Sequence, residues 1–204
     1  MIQKVLLLHP GEMGASIGSA LVSNKHEVVW VSQNRSKDTK NRATGNKFVD
    51  KLSLKKAVTY CDHVITICPP TVAIEVALSV KEMGFKGIYI DANAIAPSTA
   101  SKIQEIVGPR FVDGGIIGPP AWEKGSTRLY LSGKCSEEVV SWFKDSLVDA
   151  RSMKNSASAL KMSYAAYTKG SSALILSVRA LAKKYGIEEA LLEEWKISQP
   201  GLKE

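Results

Sequence analysis

Three groups of residues have the types and spacing to do chemistry. The first is the run His9-Pro10-Gly11-Glu12-Met13-Gly14. It breaks an apolar stretch, Val5 to Leu8, and opens a segment with Ile17, Ala20 and Leu21 at helical spacing. A strand that ends in such a turn aims several backbone N–H groups and the positive end of a helix at one point. That arrangement binds a phosphate without a cationic side chain. Gly11 lets the backbone approach a ligand, and Gly14 lets the helix pack close to the strand. The run carries two glycines of a G-x-G-x-x-G fingerprint, with His9 at the first position. An ordinary strand-to-helix turn has the same look, so the context has to decide.

The second group, Ser32, Asn34, Arg35 and Ser36, ends a second apolar run that begins at His26. At this place in a dinucleotide fold an acidic residue holds a free ribose hydroxyl, whereas an arginine accommodates a 2′-phosphate. No Asp or Glu occurs from 32 to 37. The fork of Arg35 beside two serine hydroxyls suits a phosphate, so NADP is expected in preference to NAD. A solvated polar loop is the bland alternative.

The third group is Lys161, with Tyr164 three residues on and Thr168 seven, all on roughly one helix face. A lysine there either packs its stem and lifts its ammonium to water, or exchanges a proton with a substrate hydroxyl. Spacing leaves both open.

The elements that must position these groups follow from the pattern. Apolar runs at 62–68, 87–91 and 111–113 read as strands, and amphipathic stretches lie between them. The run ending at Cys68 stops at Pro69-Pro70, Asn93 sits just past the next, and Phe111-Val-Asp113 leads into the glycine- and proline-rich stretch 114–120. Alternation of this kind implies a mostly parallel, doubly wound sheet of α/β class. Ligands of such sheets bind beyond the carboxyl ends of the strands. His9 to Met13, Ser32 to Ser36, Cys68 to Pro70, Asn93, and Gly118 with Pro119 all fall at such ends. Residues 128–132 form a further strand, followed by a helix from about Ser136. Then Leu160, Tyr164, Tyr167, Ser171, Leu174, Val178, Leu181 and Tyr185 recur at alternating spacings of four and three. That is the stripe of a long helix, over about 156–185, packed on another helix. A last short helix is expected over about 188–195.

Composition narrows the partners. The formal net charge is +7, from 27 basic and 20 acidic residues, and the basic ones are scattered with no aromatic interleaving. The charge fits an anionic small molecule and argues against nucleic acid. Three cysteines without C-x-x-C spacing suit a reducing compartment, and the three histidines have no neighbours at metal-ligand spacing. The first apolar run is too short for a membrane span or a leader, so a cytoplasmic, membrane-free protein is expected.

The motifs, taken in order, resemble the β-hydroxyacid dehydrogenase and 6-phosphogluconate dehydrogenase superfamily, and more closely a branch of phosphogluconate dehydrogenase-like NAD-binding proteins. The stretches that carry the resemblance are His9 to Gly14, Tyr89 to Asn93 with Pro97, and Phe111 to Pro120. Gly125 with Leu129 to Gly133, Ala157 to Met162, and Tyr167 to Gly170 complete it. The resemblance implies a Rossmann domain, placed at 1–153, and a short all-α part built on the long helix, at 154–204. It implies a homodimer through that helix and NAD(P)-dependent oxidation of a hydroxyacid. Lys161 falls on the family's catalytic lysine, Gly118 where relatives hold a substrate carboxylate, and Asn93 near the nicotinamide. Pro119, Tyr164 and Thr168 join Gly118 as expected substrate contacts. Ile117 replaces a substrate-binding serine of many relatives, and Tyr164 and Ala165 replace asparagines. Relatives usually continue through several more helices after the equivalent of Gly201. A catalytically silent NADP-binding sensor or scaffold, and an imine reductase, are the alternatives the scaffold allows.

Overall fold

The computed structural model describes residues 1–201, and it divides into two compact units, Met1–Met162 and a second from Ser163 on. The elements of the first unit are β1 (Lys4–Leu8), α1 (Glu12–Ser23), β2 (Glu27–Trp30), α2 (Lys37–Gly45), β3 (Val49–Asp50), α3 (Leu54–Tyr60) and β4 (His63–Thr66). A 3-10 turn, Pro70–Val72, leads into α4 (Ala73–Glu82), then β5 (Ile88–Asp91), α5 (Pro97–Val107) and β6 (Phe111–Ile117). β7 (Thr127–Ser132), α6 (Ser136–Ser141) and β8 (Val148–Ser152) follow, and α7 (Ala157–Lys184) begins in this unit and runs into the second. The second unit ends with α8 (Glu188–Ser198).

The eight strands form one sheet in the order β3-β2-β1-β4-β5-β6-β7-β8. β1 to β6 are parallel, β7 runs antiparallel to β6, and β8 is parallel to β7. The expected Rossmann-type, mostly parallel sheet is what forms. Strand order reverses on either side of β1, which places the switch-point crevice at the His9 to Met13 turn.

Alternation along β1 explains why both faces are covered. Val5 and Leu7 face a core with Ile17, Leu21 and Phe48, while Leu6 and Leu8 face a second core with Ala57, Ala77 and Ile103. A strand apolar on both faces must lie between two helical layers.

Two features differ from the sequence reading. β6 does not stop at Asp113 but runs on through Gly114 and Gly115 to Ile117. These glycines mark close approach, not a loop. A Cβ at Gly114 would meet the Asp91 carbonyl oxygen at 2.8 Å, and one at Gly115 would meet that of Ala157 at 2.7 Å. β8 is the second difference. Its five residues, Val-Asp-Ala-Arg-Ser, carry an Asp–Arg ion pair on the exposed side and lack a continuous apolar run. The two C-terminal helices match expectation, at Ala157–Lys184 and Glu188–Ser198.

Gly18 sets how closely α1 seats on β1. A Cβ there would meet the Phe48 ring at 2.5 Å and a Leu7 methyl at 2.8 Å. Gly18→Ala is therefore expected to overpack this core and cost about 1–3 kcal/mol, seen as a lower urea midpoint at unchanged slope. An unchanged midpoint would show that α1 has slack against the sheet.

Candidate functional site

The first group forms as a turn with a strained entry. His9 takes a positive φ of 69°, where a side chain costs about 1–2 kcal/mol and glycine would cost little. Gly14 has the role expected of it, since a Cβ there would lie 2.7 Å from the His9 carbonyl oxygen. Around Gly11 there is open space. No side chain caps α1, which leaves the first-turn N–H groups of Glu12 and Met13 without a side-chain acceptor. Glu12 itself is held by Arg42, whose Nε donates to its Oε1 at 2.6 Å. Pro10 is buried under the turn.

This turn opens on a cavity of about 340 Å³ lined by His9, Gly11, Met13, Arg35, Cys68 and Pro69, among others. The segments after β2 and β4 thus converge on the one after β1. Burial and the nearby Arg35 hold the His9 imidazole well below its usual range, at about 4. Burial pushes the Cys68 thiol up to about 11, so it is no thiolate. Arg35 is half-buried, and Asn34 before it turns the chain with φ 59°. Ser36 spends its hydroxyl as the N-cap of α2, accepting from Thr39 N at 3.2 Å. The backbone N–H of Ser32 donates to Asp50 Oδ1 at 3.2 Å. Sequence reading missed Asp50, because it arrives from the neighbouring strand β3 and not from the loop after β2. The same oxygen accepts from Leu52 N at 2.7 Å.

At the ends of β4 and β5 a buried network fixes the crevice floor. The Asn93 amide donates to Asp91 Oδ2 at 2.9 Å and to Thr66 Oγ1 at 3.3 Å, and its oxygen accepts from Cys68 N at 2.5 Å. Asn93 lies where expected, but its amide holds the loop carrying Cys68. Burial raises the Asp91 carboxyl to about 6, against the pull of these hydrogen bonds. Pro69 and Pro70 are exposed on that loop.

Gly118 follows β6 with φ 117° and backs onto the Ser126 carbonyl. The Pro119 carbonyl accepts from Thr127 Oγ1 at 2.5 Å, and Ala121 N donates to Ser16 Oγ at 2.9 Å. This segment is thus pinned to β7 on one side and to α1 on the other. Of the remaining expected contacts, Tyr164 is exposed, and Thr168 donates to the Tyr164 carbonyl at 3.1 Å. Both belong to the second unit.

Lys161 lies in the first unit, one turn into α7, with its stem against β6. A Cβ at Gly115 would stand 3.1 Å from the Lys161 Cβ. What sets this position is Asp113, buried on β6. Its Oδ2 accepts from Ser158 N at 3.0 Å, Ser158 Oγ at 3.1 Å and Ser156 Oγ at 2.9 Å. Ser156 Oγ in turn accepts from Ala159 N, and Ser132 Oγ from Ala157 N, both at 3.1 Å. The start of α7 is therefore capped by one carboxylate and two hydroxyls. Among the described residues there is no cluster that could hold a metal ion, and no helix is long and apolar enough to cross a membrane.

Comparison with known proteins agrees with this fold. Residues 4–95 match the family described as NADP oxidoreductase coenzyme F420-dependent. An uncharacterized 28.5 kDa protein of Methanothermus fervidus is 32% identical over 188 residues, which span 90% of this chain and 72% of that one. A protein of unknown function, reported as structurally similar to 3-hydroxyacid dehydrogenases, is 29% identical. It superposes with a TM-score of 0.77 over 98% of this chain and 77% of its own. The chain belongs to the β-hydroxyacid dehydrogenase superfamily. Two more distant structures share the fold. The 3-hydroxyisobutyrate dehydrogenase of Mycobacterium tuberculosis is 18% identical, with TM-score 0.71 over 92% of this chain and 67% of its own. A reductive aminase of Aspergillus terreus, solved with NADPH and ethyl levulinate, is 18% identical, with TM-score 0.73 over 98% and 74%. The protein thus has the NAD(P)-binding oxidoreductase fold.

The cap makes a direct prediction. Asp113→Ala leaves buried donors unpaired and is expected to cost about 2–3 kcal/mol in urea unfolding, with Asp113→Asn losing less. An alanine variant as stable as wild type would show that α7 is anchored by other means.

Proposed function

We propose that the protein is an NADP-dependent dehydrogenase of small anionic hydroxyacids, with Lys161 as the general acid–base. The observation that carries this reading is the seat of Lys161 over Gly115. Gly115 lies past the point where β5 ends, since Asp113 is the register partner of Asp91. β6 is two strands from β4 and three from β1. At about 4.8 Å per strand that is roughly 10 and 14 Å along the crevice. Residues that suit the two ends of a dinucleotide are thus spread along one edge of the sheet.

The residues fit the cofactor in kind. The open space at Gly11 and the uncapped amides of Glu12 and Met13 would hold the pyrophosphate. Arg35 would take a 2′-phosphate, while the Asp50 carboxylate is occupied by the backbone N–H groups of Ser32 and Leu52 and by the Ser32 hydroxyl. Oxidation of an alcohol removes a hydride, which the bound nicotinamide accepts, and a proton, which the Lys161 amine takes from the hydroxyl. In the reverse direction the Lys161 ammonium returns that proton to the carbonyl oxygen. The pinned Gly118–Pro119 segment is the candidate seat of the substrate carboxylate.

The same reading includes a homodimer. On the single chain Tyr164, Tyr167, Leu174, Leu181 and Tyr185 are exposed, from 44% to 76%. They are the stripe of 3.5-residue period that seats one helix on another, and a second copy supplies a matching helix.

Three experiments test these points. Titration followed by tryptophan fluorescence is expected to show NADPH binding more tightly than NADH. With a hydroxyacid panel, Lys161→Ala is expected to lower turnover by about 10²–10⁴ while cofactor affinity stays within about twofold. Equal turnover in variant and wild type would remove Lys161 from the chemistry. Sedimentation of wild type is expected to give a dimer and that of Leu174→Glu a monomer; a wild-type monomer at all concentrations would contradict the pairing.

A further inference from the structure

We infer that His9 couples nucleotide binding to protons: its imidazole takes up a proton when an anionic pyrophosphate enters the crevice, so binding tightens as pH falls. The inference deepens the cofactor reading above and rests on it. Three observations carry it. The residue sits at φ 69°, at the first position of a fingerprint where glycine would relieve the backbone. The side chain kept there at that cost lines the cavity into which Gly11, Met13 and Arg35 also open. Its Nδ1 is sealed from solvent, and the Leu8 carbonyl lies within reach of the ring.

The charges around the ring explain the direction. From α1 comes Glu12, whose carboxylate is paired with Arg42 of α2. From the loop after β2 comes Arg35, which repels an imidazolium. From the end of β4 comes Cys68, a neutral thiol. From β1 itself the Leu8 carbonyl favours the protonated ring, but less than burial and Arg35 oppose it. The ring is therefore neutral in the free protein. A pyrophosphate brings two negative charges into the same cavity and reverses the local field. The protonated ring then gains a charge-assisted partner, and Arg35 is offset by the ligand. By linkage, a ligand that prefers the protonated form binds more tightly as pH drops, by at most tenfold per pH unit.

The test counts protons. Binding of NADP⁺ and of ADP-ribose at pH 6 is measured calorimetrically in two buffers of different ionisation enthalpy, for wild type and His9→Asn. Asparagine tolerates the positive φ and does not titrate. His9→Gly, which relieves the backbone, guards against misfolding of the first variant. Proton uptake by the ligand itself cancels in the difference between proteins. Wild type is expected to take up a measurable fraction of a proton more than either variant. Its affinity is expected to rise about three- to tenfold from pH 7.5 to 5.5, against twofold or less in the variants. Equal uptake in all three proteins, with binding intact, overturns the role of His9 and leaves the cofactor reading standing. Absence of binding at every pH overturns both.

Discussion

Where helix α7 begins is decided by one buried carboxylate, and the position of Lys161 follows from it. Asp113 lies on β6 with 7% exposure, where an unpaired carboxylate would be expensive. It is matched by the N–H and hydroxyl of Ser158 and the hydroxyl of Ser156, at the positive end of a 28-residue helix. Gly115, two residues along the same strand, removes the side chain that would push the helix away. One strand thus supplies both the anchor and the clearance. Lys161 lies in the first turns of α7, although the rest of that helix belongs to another unit.

The turn from His9 to Gly14 works by a different principle. There the backbone offers donors, and side chains shape the space. Gly14 brings α1 against the strand end, and Arg42 draws the Glu12 carboxylate to itself. The Asp91, Asn93 and Thr66 network holds the loop that carries Cys68. Its amide and carboxyl groups are spent on one another, so its contribution is shape.

Much of this was legible in the sequence wherever the signal is local. The turn at His9 to Gly14 announces itself by small residues after an apolar run. The stripe from Leu160 to Tyr185 announces a helix by period alone, because 3.5-residue spacing over so many turns has no other reading. What was hidden depends on contacts distant in the chain. Gly114 and Gly115 look like a loop until Ala92 and Ala157 are seen pressing on them. β8 is short and charged on its exposed side, and only pairing with β7 makes it a strand. Asp50 escapes because β3 is two residues long and its carboxylate serves the end of a neighbouring strand. Asp113 stood in view within Phe111-Val-Asp-Gly-Gly115, yet nothing in the local pattern says that its partners are serines more than forty residues later.

In the proposed function one crevice holds a nucleotide by the amides of α1 at one end and presents the Lys161 amine at the other. A crystal structure of the complex with NADP⁺ tests it most directly. The pyrophosphate is expected on the N–H groups of Glu12 and Met13, and the amine is expected to open onto the same space as the nicotinamide ring. A nucleotide seated elsewhere, or an amine turned away from that ring, would contradict it.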